Sequence, residues 1–168
     1  MMTSPKSALL VASALLVAAL PAIAPAKAAP SAVADLVDAE GKSHGRAIVS
    51  ESADGLSLEV KATGLTPGAH GLHVHAVGKC DAPDFASAGG HWNPTAHQHG
   101  QKNPQGAHGG DAPNLVANAK GKAKAKSRLG AGALSTGASP LLDADGAAVV
   151  IHADPDDHFD IATLFGMP

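Results

Sequence analysis

The chain has 168 residues, with 12 Lys and Arg against 15 Asp and Glu and a formal net charge of −3 at pH 7. This length suits one domain with a core of its own rather than two. The acidic balance and an aromatic content of 2% argue against a nucleic-acid partner, because such proteins use basic surfaces and aromatic stacking platforms.

The first 28 residues are predicted to be an export signal. Lys6 supplies a positive charge, residues 8–20 are largely apolar, and Ala26-Lys27-Ala28 provides a cleavage site. As a helix, the apolar stretch would extend only about 20 Å, which is shorter than the ~30 Å hydrocarbon layer of a membrane. We therefore expect cleavage after Ala28, a mature domain over residues 29–168, no membrane span, and a periplasmic or secreted location.

The rest of the chain alternates short apolar segments with turns rich in Gly, Pro, Asp and Asn. Residues 56–62 alternate apolar and polar side chains, which is typical of a strand with one buried face. Strands are predicted over residues 33–37, 45–52, 56–62, 70–77, 115–117, 121–129 and 147–151. Because no helical period occurs anywhere, we expect an all-β sandwich or barrel of about seven to eight strands.

Residues 121–129 carry a row of basic side chains at every second position. Lys122, Lys124, Lys126 and Arg128 would therefore lie on one face of the strand. Two interpretations fit: a solvated edge strand that its lysines protect from pairing with other chains, or a basic face for an acidic partner. We favour the edge strand, since runs of charge usually mark solvated faces.

The histidines are concentrated in one part of the chain. His73 and His75 are two residues apart on a predicted strand, so both side chains leave the same face and could bind one ion. Residues 78–114 form an unusually long loop without periodicity, which we expect to be functional and folded around metal. Further ligand types are supplied by His91, His99, His108 and Asp111 in this loop and by His152 after the last strand.

Two metals suit this set of side chains. A nitrogen-rich site favours copper, and three histidines with one aspartate favour structural zinc. His70 is interpreted as a structural residue beside the site. His44, His97 and His158 have no informative spacing and are interpreted as surface residues.

Several motifs together resemble the copper/zinc superoxide dismutase family. They are Gly71-Leu72-His73-Val74-His75, Ser87-Ala88-Gly89-Gly90-His91-Trp92-Asn93-Pro94, His99-Gly100, His108-Gly109-Gly110-Asp111 and Val150-Ile151-His152 with Asp156-Asp157. The resemblance keeps the family's order over residues 33–157. It implies a Greek-key fold of antiparallel strands and the conversion of superoxide to oxygen and hydrogen peroxide by Cu(II)/Cu(I) cycling.

The resemblance also assigns site residues. Those implied for copper are His73, His75, His91 and His152. Those implied for zinc are His91, His99, His108 and Asp111, so that His91 would bridge the two metals. Asp156 matches a carboxylate outside the ligand set that links a copper-binding to a zinc-binding histidine.

After Asp157 the resemblance ends. The family's active-site arginine has no counterpart, the final strand is absent or replaced, and Cys80, the only cysteine, lacks a disulfide partner. We therefore expect an impaired enzyme, with stability affected more than the redox reaction. The alternatives are a non-catalytic copper- or zinc-binding protein of the same fold and a tail that results from a frameshift. Oligomeric state is left open, a homodimer being one option.

Overall fold

The computed structural model describes residues 28–158, and the predicted signal peptide therefore lies almost entirely outside the described residues, as do residues 159–168. The prediction of an all-β domain is confirmed. Its strands are β1 Ser31–Val37, β2 Ser43–Ser52, β3 Gly55–Ala62, β4 Gly68–His70, β5 Leu72–His75, β6 Leu115–Ala117, β7 Ala123–Arg128 and β8 Ala148–Ile151. Within this part of the chain, a short 3-10 turn over Ala86–Ala88 is the only helical element, and no helix could cross a membrane.

The strands form three antiparallel sheets. The largest has the order β1-β2-β3-β7, and the smaller two pair β4 with β6 and β5 with β8. β7 therefore lies at the edge of its sheet, as predicted from its lysines. The inner faces bury an aliphatic core, which includes Leu58, Val60, Leu72, Val74 and Leu115.

The prediction of a single strand over residues 70–77 is wrong in one respect, because the chain pairs with a different strand on each side of Gly71. His70 pairs with Leu115 of β6, whereas Leu72 pairs with Ile151 of β8. Between them, the Gly71 amide donates to the Asp154 carbonyl at 2.9 Å, and the Gly71 carbonyl accepts from the His152 amide at 2.9 Å. This second bond holds His152 beside the start of β5.

The long loop packs against β5 by its backbone as well as by its ligand side chains. The Val74 amide donates to the Gly110 carbonyl at 2.9 Å, and the Val74 carbonyl accepts from the Trp92 amide at 2.8 Å. A Cβ at Gly110 would lie 2.2 Å from the Val74 carbonyl oxygen, so this approach requires glycine. Trp92 itself is buried. The loop thus has an apolar anchor that its composition had not suggested, in addition to any metal.

Candidate metal centre

Four histidines meet at the open side of the β5–β8 sheet. His73 and His75 extend from β5, His91 comes from the long loop, and His152 follows β8. One ring nitrogen from each lies within 4.8 Å of those of the other three. A backbone bridge between His75 and His91 brings the loop to the strand. The predicted copper ligands are therefore adjacent in space, although 79 positions separate His73 from His152 (152 − 73).

Three buried ring nitrogens in this group have no hydrogen-bond partner among the described residues: His73 Nδ1, His75 Nε2 and His152 Nε2. In two of these rings the other nitrogen is engaged. His73 Nε2 donates to Asp156 Oδ2 at 2.8 Å, and His75 Nδ1 donates to the Gly89 carbonyl at 2.7 Å. These bonds place the proton on the outer nitrogen and leave the inner lone pair free. Unsatisfied buried nitrogens are rare in proteins, and converging lone pairs are what a metal ion requires.

Burial keeps these rings neutral at pH 7. It lowers the pKa of His73 to about 4, although the neighbouring Asp156 carboxylate acts in the opposite direction. Burial also lowers the pKa of His75 and of His152, and the charge that His91 can carry lowers both further. A histidine binds metal through its neutral form, so the electrostatics prepare the group for an ion.

A second group shares two of these histidines. His73, His91, His99 and Asp111 each offer one ligand atom, and these atoms lie within 4.8 Å of one another. His91 Nδ1 is 2.9 Å from Asp111 Oδ1, and His99 Nδ1 is 3.2 Å from the same oxygen. Asp111 Oδ2 accepts from the Gly100 amide at 2.9 Å. Burial alone would raise the pKa of Asp111, but the contacts with His91 and the backbone amide hold it well below its usual range.

His108 contacts this second group but is not one of the four residues whose ligand atoms all lie within 4.8 Å of one another. Its Nδ1 is 3.3 Å from His91 Nδ1 and 3.6 Å from Asp111 Oδ1. The structure thus brings together all four side chains of the predicted zinc set, with His73 as an additional neighbour. The assignment of zinc to His91, His99, His108 and Asp111 stays a prediction.

Asp156 connects the two groups. Its Oδ2 accepts from His73 Nε2 at 2.8 Å, and its Oδ1 accepts from His99 Nε2 at 3.0 Å. Burial would raise the pKa of this carboxyl group, but its contacts with His73 and with the His158 amide lower it well below the usual range. An ionised carboxylate can only accept hydrogen bonds, so both imidazoles turn an N–H towards it.

Sequence reasoning missed the residue that holds Asp156 in place. Asn114 Nδ2 donates to the Asp156 carbonyl at 2.7 Å, and Asn114 Oδ1 accepts from the Asp156 amide at 2.9 Å. The side-chain amide therefore clamps the backbone of Asp156 from a position directly before β6. A sequence signal was available in the polar residue at that strand boundary, but its partner is 42 residues away.

Two of the three histidines interpreted as surface residues also have specific hydrogen-bond partners. His44 Nε2 lies 2.8 Å from Asp38 Oδ2, and its Nδ1 lies 2.7 Å from the Thr63 carbonyl. Asn114 Nδ2 donates to His158 Nε2 at 3.2 Å. Neither pairing has a local sequence pattern. His97 is exposed, as predicted.

The structural role expected for His70 agrees with its contacts. Its ring is buried, with Nδ1 2.8 Å from the His152 carbonyl and Nε2 2.8 Å from the Thr66 carbonyl. His70 therefore supports His152 from behind. Cys80 is an exposed free thiol.

Comparison with known proteins agrees with the family resemblance seen in the sequence. The family model described as copper/zinc superoxide dismutase matches residues 41–164. A superoxide dismutase [Cu-Zn] of Caulobacter vibrioides is 44% identical over 76% of this chain and 75% of that protein. Superoxide dismutase [Cu-Zn] 1 of Aquifex aeolicus is 39% identical over 74% of this chain and 75% of that protein.

Solved structures agree in fold. The crystal structure of a superoxide dismutase-like protein from Bacillus subtilis superposes with a TM-score of 0.71 at 40% identity, covering 76% of this chain and 87% of that one. The Cu/Zn superoxide dismutase of Brucella abortus superposes with a TM-score of 0.59 at 28% identity, covering 78% of this chain and 88% of that one.

Proposed function

The chain belongs to the copper/zinc superoxide dismutase family, a family of oxidoreductases that use copper and zinc, and on that premise we propose that it converts superoxide to oxygen and hydrogen peroxide at the four-histidine group. The observation that carries this proposal is that three buried ring nitrogens without a hydrogen-bond partner belong to a group of four histidines whose ligand atoms lie within 4.8 Å of one another. Together with the ring of His91 they form the nitrogen-rich set that copper favours.

We assign His73, His75, His91 and His152 to copper. When bound there, copper supplies one-electron redox chemistry by alternating between Cu(II) and Cu(I). The residues contribute neutral imidazole donors whose orientation is set by hydrogen bonds on their outer nitrogens. Because His75, His91 and His152 are only partly buried, a small anion can reach the group from solvent.

We assign His91, His99, His108 and Asp111 to zinc in a structural role. Three histidines and one carboxylate form a closed set of the kind that structural zinc uses. His91 belongs to both assignments, since its Nδ1 faces Asp111 while its ring stacks on His73 with centroids 4.0 Å apart. It is therefore the side chain through which charge at one metal would affect the other, and the one we expect to exchange a proton during turnover.

We also propose that the protein works in the periplasm or outside the cell. The support is the pattern of a basic residue, an apolar stretch and small residues in the first 28 positions.

The test compares two histidine-to-alanine variants of the metal-loaded mature chain. His75→Ala removes an assigned copper ligand on β5, whereas His97→Ala removes an exposed histidine of the long loop and serves as the matched control. Cyanide-sensitive dismutation should occur in the wild type and the control, and His75→Ala should lose it together with stoichiometric copper binding.

The outcome that would overturn the proposal is a wild-type rate no greater than that of free copper. If the protein nevertheless bound one copper and one zinc tightly, it would be the non-catalytic metal-binding protein named above as the alternative.

A further inference from the structure

A row of basic side chains crosses the outer face of the four-stranded sheet. Arg46 of β2 is directly opposite Lys61 of β3, and Lys61 is directly opposite Lys124 of β7. Lys122 immediately precedes β7 and is exposed like the others. We call these four residues the cationic row. They stand out in a chain whose formal net charge is −3.

Protection of a sheet edge explains only part of the row. Lysine on an edge strand discourages pairing with other chains, and this accounts for Lys124 on β7. Arg46 and Lys61 lie on β2 and β3, which are inner strands where no edge needs protection. Like charges directly opposite each other destabilise a sheet. The pairing of Arg46 with Lys61 and of Lys61 with Lys124 therefore destabilises the sheet, and edge protection does not explain why these residues are there.

Two carboxylates offset the row incompletely. Asp35 lies 3.4 Å from Arg46, and Glu59 lies 2.7 Å from Lys61. All four of these side chains are at least 40% exposed, so each pair is weak and can rearrange. Among residues 28–158, the two remaining lysines of the row have no carboxylate within 4.0 Å of the ammonium nitrogen. Cationic charge is thus available to a ligand.

The row borders a shallow recess of about 910 Å³ at the end of the sheet. Its lining includes the polar side chains of Ser43, Thr63 and Asn118, although the Thr63 hydroxyl already donates to the His44 carbonyl at 3.4 Å. Asp35 is the only acidic residue in its lining, and no aromatic residue takes part. Four basic side chains against a single carboxylate suit an anion, and the lack of a stacking surface argues against nucleobases.

We propose that this recess binds a linear polyphosphate chain. Neighbouring strands are about 4.8 Å apart, so the three aligned cations span roughly 10 Å. Orthophosphate could engage only one or two of them, whereas a chain of three or more phosphates offers an anionic oxygen to each. Arg46 adds a planar guanidinium that can bind phosphate through two hydrogen bonds. This inference is independent of the proposed catalytic function.

The test uses tripolyphosphate as the probe and the metal-loaded full chain, with calorimetric titration at two salt concentrations. Lys61→Gln combined with Lys124→Gln removes the centre of the row. Lys42→Gln combined with Lys79→Gln removes the same charge from exposed positions outside the recess and is the matched control. Both variants retain every assigned metal ligand, so any chelation of metal by the probe affects them equally.

We expect the row variant to bind tripolyphosphate at least about tenfold more weakly than the wild type, and the control to stay within about twofold. Affinity should fall as salt rises. Equal weakening in both variants would show that only net charge matters and would overturn the proposal. It would also be overturned if orthophosphate bound as tightly as tripolyphosphate, if heparin oligosaccharides bound more tightly, or if the wild type did not bind the probe.

Discussion

Replacing Asp156 by Asn isolates the contribution of the carboxylate that joins the two groups of histidines. The aspartate accepts one hydrogen bond from His73 Nε2 at 2.8 Å and one from His99 Nε2 at 3.0 Å. Asparagine has almost the same shape but only one acceptor oxygen, so its amide would face one of these N–H groups donor to donor. One histidine would then lose both its partner and its orientation.

The expected size of the effect follows from these contacts. A hydrogen bond to a charged group contributes about 1.5–3 kcal/mol, and 1.4 kcal/mol corresponds to a factor of ten. Because the Asp156 side chain is 7% exposed, water can replace little of what is lost. We therefore expect Asp156→Asn to weaken zinc binding about 10- to 100-fold, in the range found when the hydrogen-bond partners of metal ligands are removed.

The measurement is competition for zinc against a chromophoric chelator at pH 7. Asp154→Asn is the matched control, because it changes a nearby exposed carboxylate for which no side-chain contact is seen. The reasoning would be refuted if Asp156→Asn kept a zinc affinity within twofold of that of the control.

Three further predictions concern stability and positioning. The metal-free protein should lose about 3 kcal/mol of unfolding free energy through His73 as pH falls from 6.5 to 4. Burial lowers the pKa of His73 in the folded state from 6.5 to about 4, so only the unfolded chain takes up a proton in this pH range. Urea titrations at both pH values would contradict this if stability were unchanged. Asn114→Ala should weaken zinc binding several-fold by releasing the backbone of Asp156, with the same chelator competition as readout and unchanged affinity as the opposing result. Leu58→Ala should lower the free energy of unfolding by about 2–5 kcal/mol, since Leu58 is fully buried. Val116 is 66% exposed, so Val116→Ala should change that free energy by no more than about 0.5 kcal/mol. Similar urea midpoints for the two variants would contradict the core described above.

Much of the fold could be predicted from local patterns. The alternation in residues 56–62 and the lysine spacing in residues 121–129 place β3 and the edge strand β7 correctly, because side-chain direction in a strand depends only on neighbouring positions. The break at Gly71 could not be predicted in this way. It depends on which distant strands pair with each half of the segment, β6 for one and β8 for the other.

The same division applies to the site. Residue type and spacing by themselves identified the histidines and Asp111, since metal binding demands particular side chains and His73 and His75 share a face through the strand's period of two. The resemblance implied that Asp156 links a copper-binding to a zinc-binding histidine, but only the tertiary structure decided that these two are His73 and His99 and that Asn114 clamps Asp156. It also decided that Arg46, Lys61 and Lys124 form one row. These contacts join positions far apart in the chain, and they depend on the register of strand pairing, which no short stretch of sequence contains.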